Sequence, residues 1–455
     1  MNEKHEQRGH FATKIGIILA TAGSAVGLGN IWRFPYMTGQ DGGAAFIVIY
    51  LVCILILGIP GMIGEFVIGR HSAANAARAY DKLSDGRPWK IVGLMGVVTS
   101  MIILGFYSVV AGWCLQYLYA SLQGQLLGDT AFVNRYFLTF SSHPVYPAVW
   151  AVVFILLTHL VVIRGVRRGI ERTSNFLMPA LFILLVVIVI ASCSLPGAMR
   201  GIDFLFSPDF SKVDKNVMLD ALGQSFFSLS LGTACLCTYA SYFTRQTSLV
   251  TSAFKIAGVD TLVSILAGLM IFPAAFSVGV HPDSGPSLIF ITLPSVFHEA
   301  FSAVPGMGYA VALLFYALLS LAALTSTISM HEIGTAFFYE ELHLTRRQGA
   351  WIETSVCVVI GILCSLSMGA VSDLGLFGKT LLDCCDYLTS NILMPLGALA
   401  TSLFLGWFVP RSVLRDQLTN WGTLRRSFFT VWFFVIRFVS PVGISLVFLR
   451  QLGVI

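Results

Sequence analysis

Two stretches of this chain carry polar groups where an apolar run would normally have none. From Gly23 to Pro35 the sequence reads G-S-A-V-G-L-G-N-I-W-R-F-P, which puts three glycines, an asparagine and an arginine inside an apolar segment. Gly27 and Gly29 each cost a helix interior roughly 1 kcal/mol relative to alanine. Broken backbone at membrane depth is tolerated only where it lines a cavity. Residues 25–29 therefore read as an unwound hinge whose bare peptide groups face a ligand; a glycine-rich packing seam is the plainer account of the glycines alone. The second stretch, G-Q-S-F-F-S-L-S-L-G-T-A from Gly223 to Ala234, repeats the anomaly with three serines, a glutamine and two glycines. The chemistry available to such breaks is binding. A half-helix that starts at a break presents free N–H groups to anions, and one that ends there presents carbonyls to cations.

Other polar residues fall inside apolar runs and point the same way. Asp260 is ionisable at membrane depth, which makes it a functional candidate. Thr325 and Ser326 set adjacent hydroxyls in A-A-L-T-S-T-I-S-M, from Ala322 to Met330, although a lone hydroxyl pair usually bonds back to its own helix. Asp383 and Asp386, three apart, share a helix face, and the Tyr107 hydroxyl needs a buried partner. Glu65 fits a solvated helix end as well as a role. Catalytic patterns are missing. His331-Glu332-Ile333-Gly334-Thr335 lacks the second histidine of H-E-x-x-H, no G-x-S-x-G occurs, and Asp373 stands where a phosphate loop ending at Gly378-Lys379 needs glycine. The chain is not expected to be an enzyme. A channel pore lined by carbonyl or charge rings is not expected either, given two off-centre broken helices.

The elements that must position these residues are membrane helices. The chain has 455 residues, 56% hydrophobic and 11% charged, a composition foreign to soluble domains of this length. Apolar spans of 18 or more residues, enough to cross a bilayer, are expected near 14–38, 43–69, 89–122, 146–164, 173–195, 217–242, 246–279, 306–342, 350–371, 377–409 and 428–451. The first thirteen residues are polar and carry no signal-peptide pattern. With the N-terminus inside, the inner segments hold nineteen lysines and arginines and the outer ones five, so the positive-inside rule predicts a cytoplasmic N-terminus and an external C-terminus. The net charge of +5 then reports topology, with no nucleic-acid partner. The nine cysteines show no C-x-x-C pair or metal spacing and read as packing residues; the vicinal Cys384 and Cys385 are weak grounds for redox chemistry.

The broken spans, one and six, each open a run of five. Paired interruptions at corresponding positions mark a transporter built from two inverted repeats with its site between them. The expected organisation is an N-terminal cytoplasmic segment with an inner gate (1–13), a first five-helix repeat (14–195), an outer loop (196–216), a second, inverted five-helix repeat (217–409), and an inner loop with an eleventh helix (410–455). The arginine-rich run from Arg164 to Asn175 reads as an inner loop opening span five.

The run S-A-V-G-L-G-N-I-W-R-F-P, the G-P-S-L-I-F-I-T-L-P motif from Gly285 to Pro294, the serine-rich sixth span and L-T-S in the eighth resemble the neurotransmitter:sodium symporters, specifically their bacterial amino-acid branch. The likeness runs from Arg8 to about Arg450. It implies an all-α, multi-pass protein of the plasma membrane with helices 1 and 6 unwound at mid-membrane. It further implies sodium-coupled import of amino acids by alternating access. A first sodium would meet the Ala25 carbonyl, the Asn30 side chain, Ser228 and Asp260, completed by the substrate carboxylate. A second would meet the carbonyls of Gly23, Val26 and Ala322 and the hydroxyls of Thr325 and Ser326; oxygen-only sites suit hard cations. The substrate carboxylate would face the amides of Leu28 and Gly29 and the Tyr107 hydroxyl, and its amine the carbonyls of Ala25, Phe227, Ser228 and Ser230. The implied pocket wall is Ile103, Tyr107, Phe227, Ser230, Thr233, Ser326 and Met330. Arg33 with Asp386 matches the outer gate, and Arg8 with Glu340, helped by Tyr242, the inner gate.

Departures from the family sharpen the expectation. Gly27 stands where the amine-transporting branch has aspartate, so the substrate should bring its own carboxylate, and the mostly apolar wall favours hydrophobic or aromatic L-amino acids. Chloride-dependent relatives hold the anion among residues matching Tyr50, Gln224, Ser228 and Ser264. Asp260 supplies a fixed negative charge there, so no chloride is expected, and its protonation in the empty carrier would give proton antiport. Eleven spans are expected where most relatives have twelve, so a dimer contact like theirs through a twelfth helix is not expected to carry over. Transport of another small zwitterion, or a transporter-derived amino-acid sensor, stays open at this point, as do the sodium stoichiometry and the oligomeric state.

Overall fold

A computed structural model of the chain describes residues 10–126, 128–280, 288–371, 374–375, 378–422 and 426–454. Arg8 and the first three residues of the 285–294 motif lie outside the described residues.

The described chain is all-α. In order it forms α1 (Lys14–Ala25), α2 (Gly29–Gln40), α3 (Ala44–Ser72), α4 (Ala76–Ser84), α5 (Lys90–Leu122), α6 (Thr130–Ser141), α7 (Tyr146–Val162), α8 (Val166–Cys193), α9 (Ala198–Phe206), α10 (Lys215–Ser228), α11 (Cys235–Ala240), α12 (Leu249–Ser277), α13 (Leu288–Ala300), α14 (Met307–Glu341), α15 (Arg346–Leu366), α16 (Leu381–Phe408), α17 (Arg411–Leu418) and α18 (Phe428–Gln451). Eight of these helices are long and apolar enough to cross a membrane, or up to ten if each of two bent pairs counts as one span. The expected count was eleven. The halves of the broken α10–α11 pair, 14 and 6 residues long, are each too short for that test.

Span one breaks where its glycines fall. α1 ends at Ala25, Val26 is extended (φ −70°, ψ 110°), and the helix resumes in α2 after a bend of 57°. Thr13 caps the start of α1, its hydroxyl accepting the Gly16 N–H at 2.9 Å, the type of cap that satisfies an orphan donor of the first turn. The second break lies later than the serine-rich stretch begins, because α10 continues through Gly223 to Ser228 and only residues 229–234 are unwound. Ser230, Gly232 and Ala234 all have positive φ there. Glu65 closes this break from α3, its carboxylate accepting the Gly232 N–H at 2.8 Å while 3% exposed. The solvated-end reading of Glu65 is thereby corrected.

Segments expected to be loops contain helices. α4 falls in the inner 71–90 segment with Asn75 as its N-cap, and α9 in the 196–216 segment, where Gly201 lets it lie directly on the backbone of α12 at Phe272 and Pro273. α8 starts at Val166, so the arginine-rich run is helical rather than a loop. Each is a short or charged segment whose amphipathic face a search for long apolar runs passes over. α14 runs through the centre and packs on α1, α5, α7, α8 and α15.

Gly232 has φ +81°, and a Cβ there would stand 2.3 Å from the Met394 carbonyl oxygen, whereas a Cβ on Gly223 would meet nothing closer than 3.6 Å. Gly232→Ala is therefore expected to lower the melting temperature of the purified protein by several degrees, with Gly223→Ala unchanged or raised. Equal melting temperatures for the two variants would refute this account of the break.

Candidate functional site

The breaks in α1–α2 and α10–α11 open onto one cavity of about 350 Å³. Every residue expected to contact a ligand lines it: Ala25, Leu28, Gly29, Ile103, Tyr107, Phe227, Ser228, Ser230, Thr233, Ser326 and Met330. The wall continues past Trp113 and Phe290 to Asp383 and Asp386. At the start of α2 the Leu28 N–H donates to the Tyr107 hydroxyl at 3.1 Å. That phenol stands next to the first-turn N–H groups that a helix leaves without intrahelical partners. A Cβ on Gly27 would lie 2.5 Å from the Ser326 hydroxyl and 3.2 Å from the Tyr107 hydroxyl. Position 27 has no room for an acidic side chain. At the other break the Ser230 carbonyl accepts the Thr233 hydroxyl at 2.8 Å, and the Phe227 carbonyl accepts the Ser230 N–H at 3.0 Å.

Two oxygen clusters flank the cavity. In the first, Asp260 is completely buried. Its Oδ1 accepts the Asn30 amide at 2.7 Å, and its Oδ2 accepts the hydroxyls of Ser228 at 2.6 Å and Tyr50 at 3.3 Å. The Asn30 amide also donates to Ser264 Oγ at 2.9 Å. The orientation of Asn30 is forced: its Oδ1 accepts the Gly27 N–H at 3.0 Å, leaving only nitrogen to face the carboxylate. The expectation that the Asn30 side chain joins Ser228 and Asp260 is met in space, but its oxygen is turned toward the α1–α2 break. Gln224, grouped with Tyr50 and Ser264 as the anion-site equivalent, is buried with neither amide atom hydrogen-bonded among the described residues.

The second cluster joins the break to α14. Thr325 Oγ1 donates to the carbonyls of Ala322 at 2.9 Å and Val26 at 3.3 Å, and Ser326 Oγ to Val26 at 3.2 Å. Gly23 faces Thr325 closely, a Cβ there falling 3.3 Å from the threonine side chain. Val26, Ala322, Thr325 and Ser326 thus bring carbonyl and hydroxyl oxygens to one place, with Gly23 packed beside them; oxygen-only sets of this kind suit a hard cation.

The expected gates are arranged differently. Arg33 and Asp386 form no ion pair: the Arg33 guanidinium lies 3.9 Å over the Phe227 ring, and the exposed Asp386 accepts the Ser390 hydroxyl at 2.8 Å. Asp386 lines the cavity wall, whereas Arg33 is turned onto Phe227. At the opposite end Arg8 lies outside the described residues, and Glu340 accepts the Asn75 N–H at 2.7 Å. Tyr242 donates to Glu332 at 2.5 Å, and Glu332 also pairs with Arg346. Phe11 packs edge-on against Tyr239 and Tyr242, with ring centroids 5.9 and 6.1 Å apart. Glu171 accepts the N–H groups of Ala12 at 2.7 Å and Thr13 at 3.0 Å and the Thr13 hydroxyl at 2.8 Å.

Sequence reasoning missed Glu332 and Glu171. The rule that selected Asp260, an ionisable residue inside an apolar span, also selects Glu332. Its partner Arg346 lies across the α14–α15 turn, where spacing gives no signal.

Three comparisons bear on this arrangement. A family model described as the sodium:neurotransmitter symporter family matches residues 8–137 and 128–454. An uncharacterized sodium-dependent transporter of Bacillus subtilis, YhdH, is 41% identical over 447 residues, which is 98% of each chain, and one of Haemophilus influenzae is 34% identical over 464 residues, covering 99% of this chain and all of its own. The crystal structure of MhsT in complex with L-phenylalanine matches with a TM-score of 0.87 at 40% identity, over 98% of this chain and 100% of that one.

A methyl group at position 27 enters space held by the Ser326 and Tyr107 hydroxyls, and overpacking of this kind costs about 1–3 kcal/mol. Gly27→Ala should weaken ligand binding at least fivefold in a scintillation proximity assay and, because the crowding is present without ligand, lower the melting temperature of the ligand-free protein by a few degrees. Unaltered affinity would show that the break does not contact the ligand.

Proposed function

The chain belongs to the sodium:neurotransmitter symporter family, and from that premise we propose that it imports L-amino acids with hydrophobic or aromatic side chains, coupled to two sodium ions and independent of chloride. Membership makes it a sodium-dependent, multi-pass membrane transporter. The observation that carries the finer reading is the crowding at Gly27: a substrate ammonium cannot be met there by an acidic side chain, so the substrate supplies its own carboxylate. That carboxylate is received by the Leu28 and Gly29 amides and the Tyr107 hydroxyl, and the ammonium by carbonyls of Ala25, Phe227, Ser228 and Ser230. The L-phenylalanine held by MhsT fits the same preference for an apolar side chain. Ile103, Phe227 and Met330 offer mainly apolar contact, and one methylene in such a pocket changes affinity by only about 1–3 kcal/mol. Several amino acids are therefore carried.

One sodium sits with Asp260, Ser228, Asn30 and the Ala25 carbonyl, the other with Val26, Gly23, Ala322, Thr325 and Ser326. For the first ion to use the Asn30 oxygen, the amide must turn and release the Gly27 N–H, which links that ion to the shape of the break. Chloride independence is supported by the donors: Ser228 gives its hydroxyl proton to Asp260, and the Tyr50 hydroxyl reaches Ser228 Oγ at 3.1 Å and Asp260 at 3.3 Å, so the carboxylate is the fixed charge in an anion's place. The open separation of Arg33 from Asp386, with Phe11 and Glu332 closing the far end, supports an outward-open stage of alternating access. Two sodium ions and a zwitterion carry two net positive charges, each contributing about 2.3 kcal/mol per 100 mV of membrane potential. A tenfold sodium gradient adds about 1.4 kcal/mol per ion, so uphill accumulation over several orders of magnitude is feasible.

Proteoliposome uptake of labelled L-amino acids and monoamines, with and without an inward sodium gradient in chloride-free buffer, tests the reading. Accumulation of an apolar or aromatic amino acid only with sodium is expected; ligand binding without uptake would favour a sensor. In Asp260→Asn, sodium-driven uptake should fall and recover when chloride is added. Equal chloride-free uptake by that variant would remove the role given to Asp260. Thr325→Val, which removes one oxygen ligand, should raise the sodium concentration for half-maximal uptake at least tenfold, a tenfold change being about 1.4 kcal/mol; an unshifted value would exclude the second cluster as a sodium site.

A further inference from the structure

Far from the cavity, where α16 ends against α18, two arginines stand without an anion. Both helices widen into a π-helical turn at this level, Phe404–Phe408 and Val435–Val439. Gly406 lets the backbones touch, since a Cβ there would lie 2.9 Å from the Arg437 Cα. The Arg437 guanidinium lies 4.1 Å from the Trp407 ring, 5.5 Å from Phe438 and 5.7 Å from Phe433, and Arg411 covers Phe433 at 4.4 Å. Two guanidinium groups therefore flank one ring. Neither forms a hydrogen bond or ion pair among the described residues, and Arg437 Nε is buried with no acceptor. The carboxylate available on α17, Asp416, faces Arg415 at 3.7 Å.

The surroundings are apolar and outward-facing: Trp407, Phe434 and Phe438 are 54%, 57% and 47% exposed. Aromatic belts of this kind sit at headgroup level. The same end of the bundle carries Arg411 and Arg415, and the excess of basic residues assigns it to the inner leaflet, where anionic lipids concentrate. An arginine beside hydrocarbon with no partner is expensive. Stacking on aromatic faces satisfies its flat sides and leaves the N–H edge, whose fork matches a phosphate.

We propose that Arg411 and Arg437 form a binding site for the phosphodiester of an anionic phospholipid, whose acyl chains lie along Phe434 and Phe438. α18 is a rigid wall for such a lipid, because the Trp432 indole N–H donates to the Pro60 carbonyl of α3 at 3.0 Å.

The test is native mass spectrometry of the full-length protein in detergent with phosphatidylglycerol, with phosphatidylcholine of the same acyl chains, and with inorganic phosphate alone. Wild-type protein should retain phosphatidylglycerol in preference to phosphatidylcholine, and Arg411→Gln and Arg437→Gln should each reduce retention about fivefold, the effect of one basic residue at a membrane surface. Arg437→Lys, which keeps charge but loses the fork, should fall between. The exposed Arg411→Gln variant carries the test by itself if the Arg437 variants fail to fold. Equal retention by the variants, or equal retention of the two lipids, would overturn the proposal; inorganic phosphate bound with the same arginine dependence would replace the lipid by a free oxyanion and overturn it as well.

Discussion

Asp260 accepts hydrogen bonds from Asn30, Ser228 and Tyr50, residues of α2, α10 and α3 that are far apart in sequence. Two of the three sit at the ends of the broken helices. Inside a protein of low dielectric, bonds to an ionised acceptor are stronger than in water, and each contributes about 1.5–3 kcal/mol. One carboxylate thus fixes how the two breaks face each other, and with them the Leu28 and Gly29 amides on one side and the α10 carbonyls on the other. Neutral donors stabilise this charge without cancelling it. The proposed first cation would balance that charge, so under the proposed function its binding and the geometry of the breaks would depend on the same cluster.

The site was legible in the sequence to the extent that its residues break a local rule. Gly27 and Gly29 are poor helix formers in an apolar run, and the chain does unwind beside them. The serines of span six identify the second break, but its start is misplaced, because Gly223 and Ser225 remain helical and the strain falls on Ser230, Gly232 and Ala234. Positive φ at a serine and an alanine is imposed by tertiary contacts, among them Glu65 and the approach of α16, and such contacts leave no trace in local composition. Long apolar helices were legible to within a few residues. α4, α9 and α6 were not, since short amphipathic helices take their stability from the surfaces they cover.

The two ends of the cavity are closed, or left open, by different physics. At the Asp386 end the Arg33 guanidinium rests on the Phe227 ring, with no carboxylate partner in contact among the described residues, and Asp386 faces water. Such contacts exchange readily. At the other end Phe11 is wedged among three aromatic rings, and Glu332 is buried with both Tyr242 and Arg346 as partners. Breaking a buried pair by withdrawing one member costs about 3–5 kcal/mol. The two ends thus differ in the number and burial of the contacts that hold them.

Glu171 ties the start of α1 to α8. Its carboxylate holds two amides and a hydroxyl at the very start of α1, and it occupies the space over Gly16 that a side chain would need. Ala12 and Thr13 are themselves exposed, so water stands beside each of these charge-assisted bonds and can take over any one that opens. The first half-helix is therefore held in register with α8 by a contact that solvent can substitute, an anchor rather than a lock.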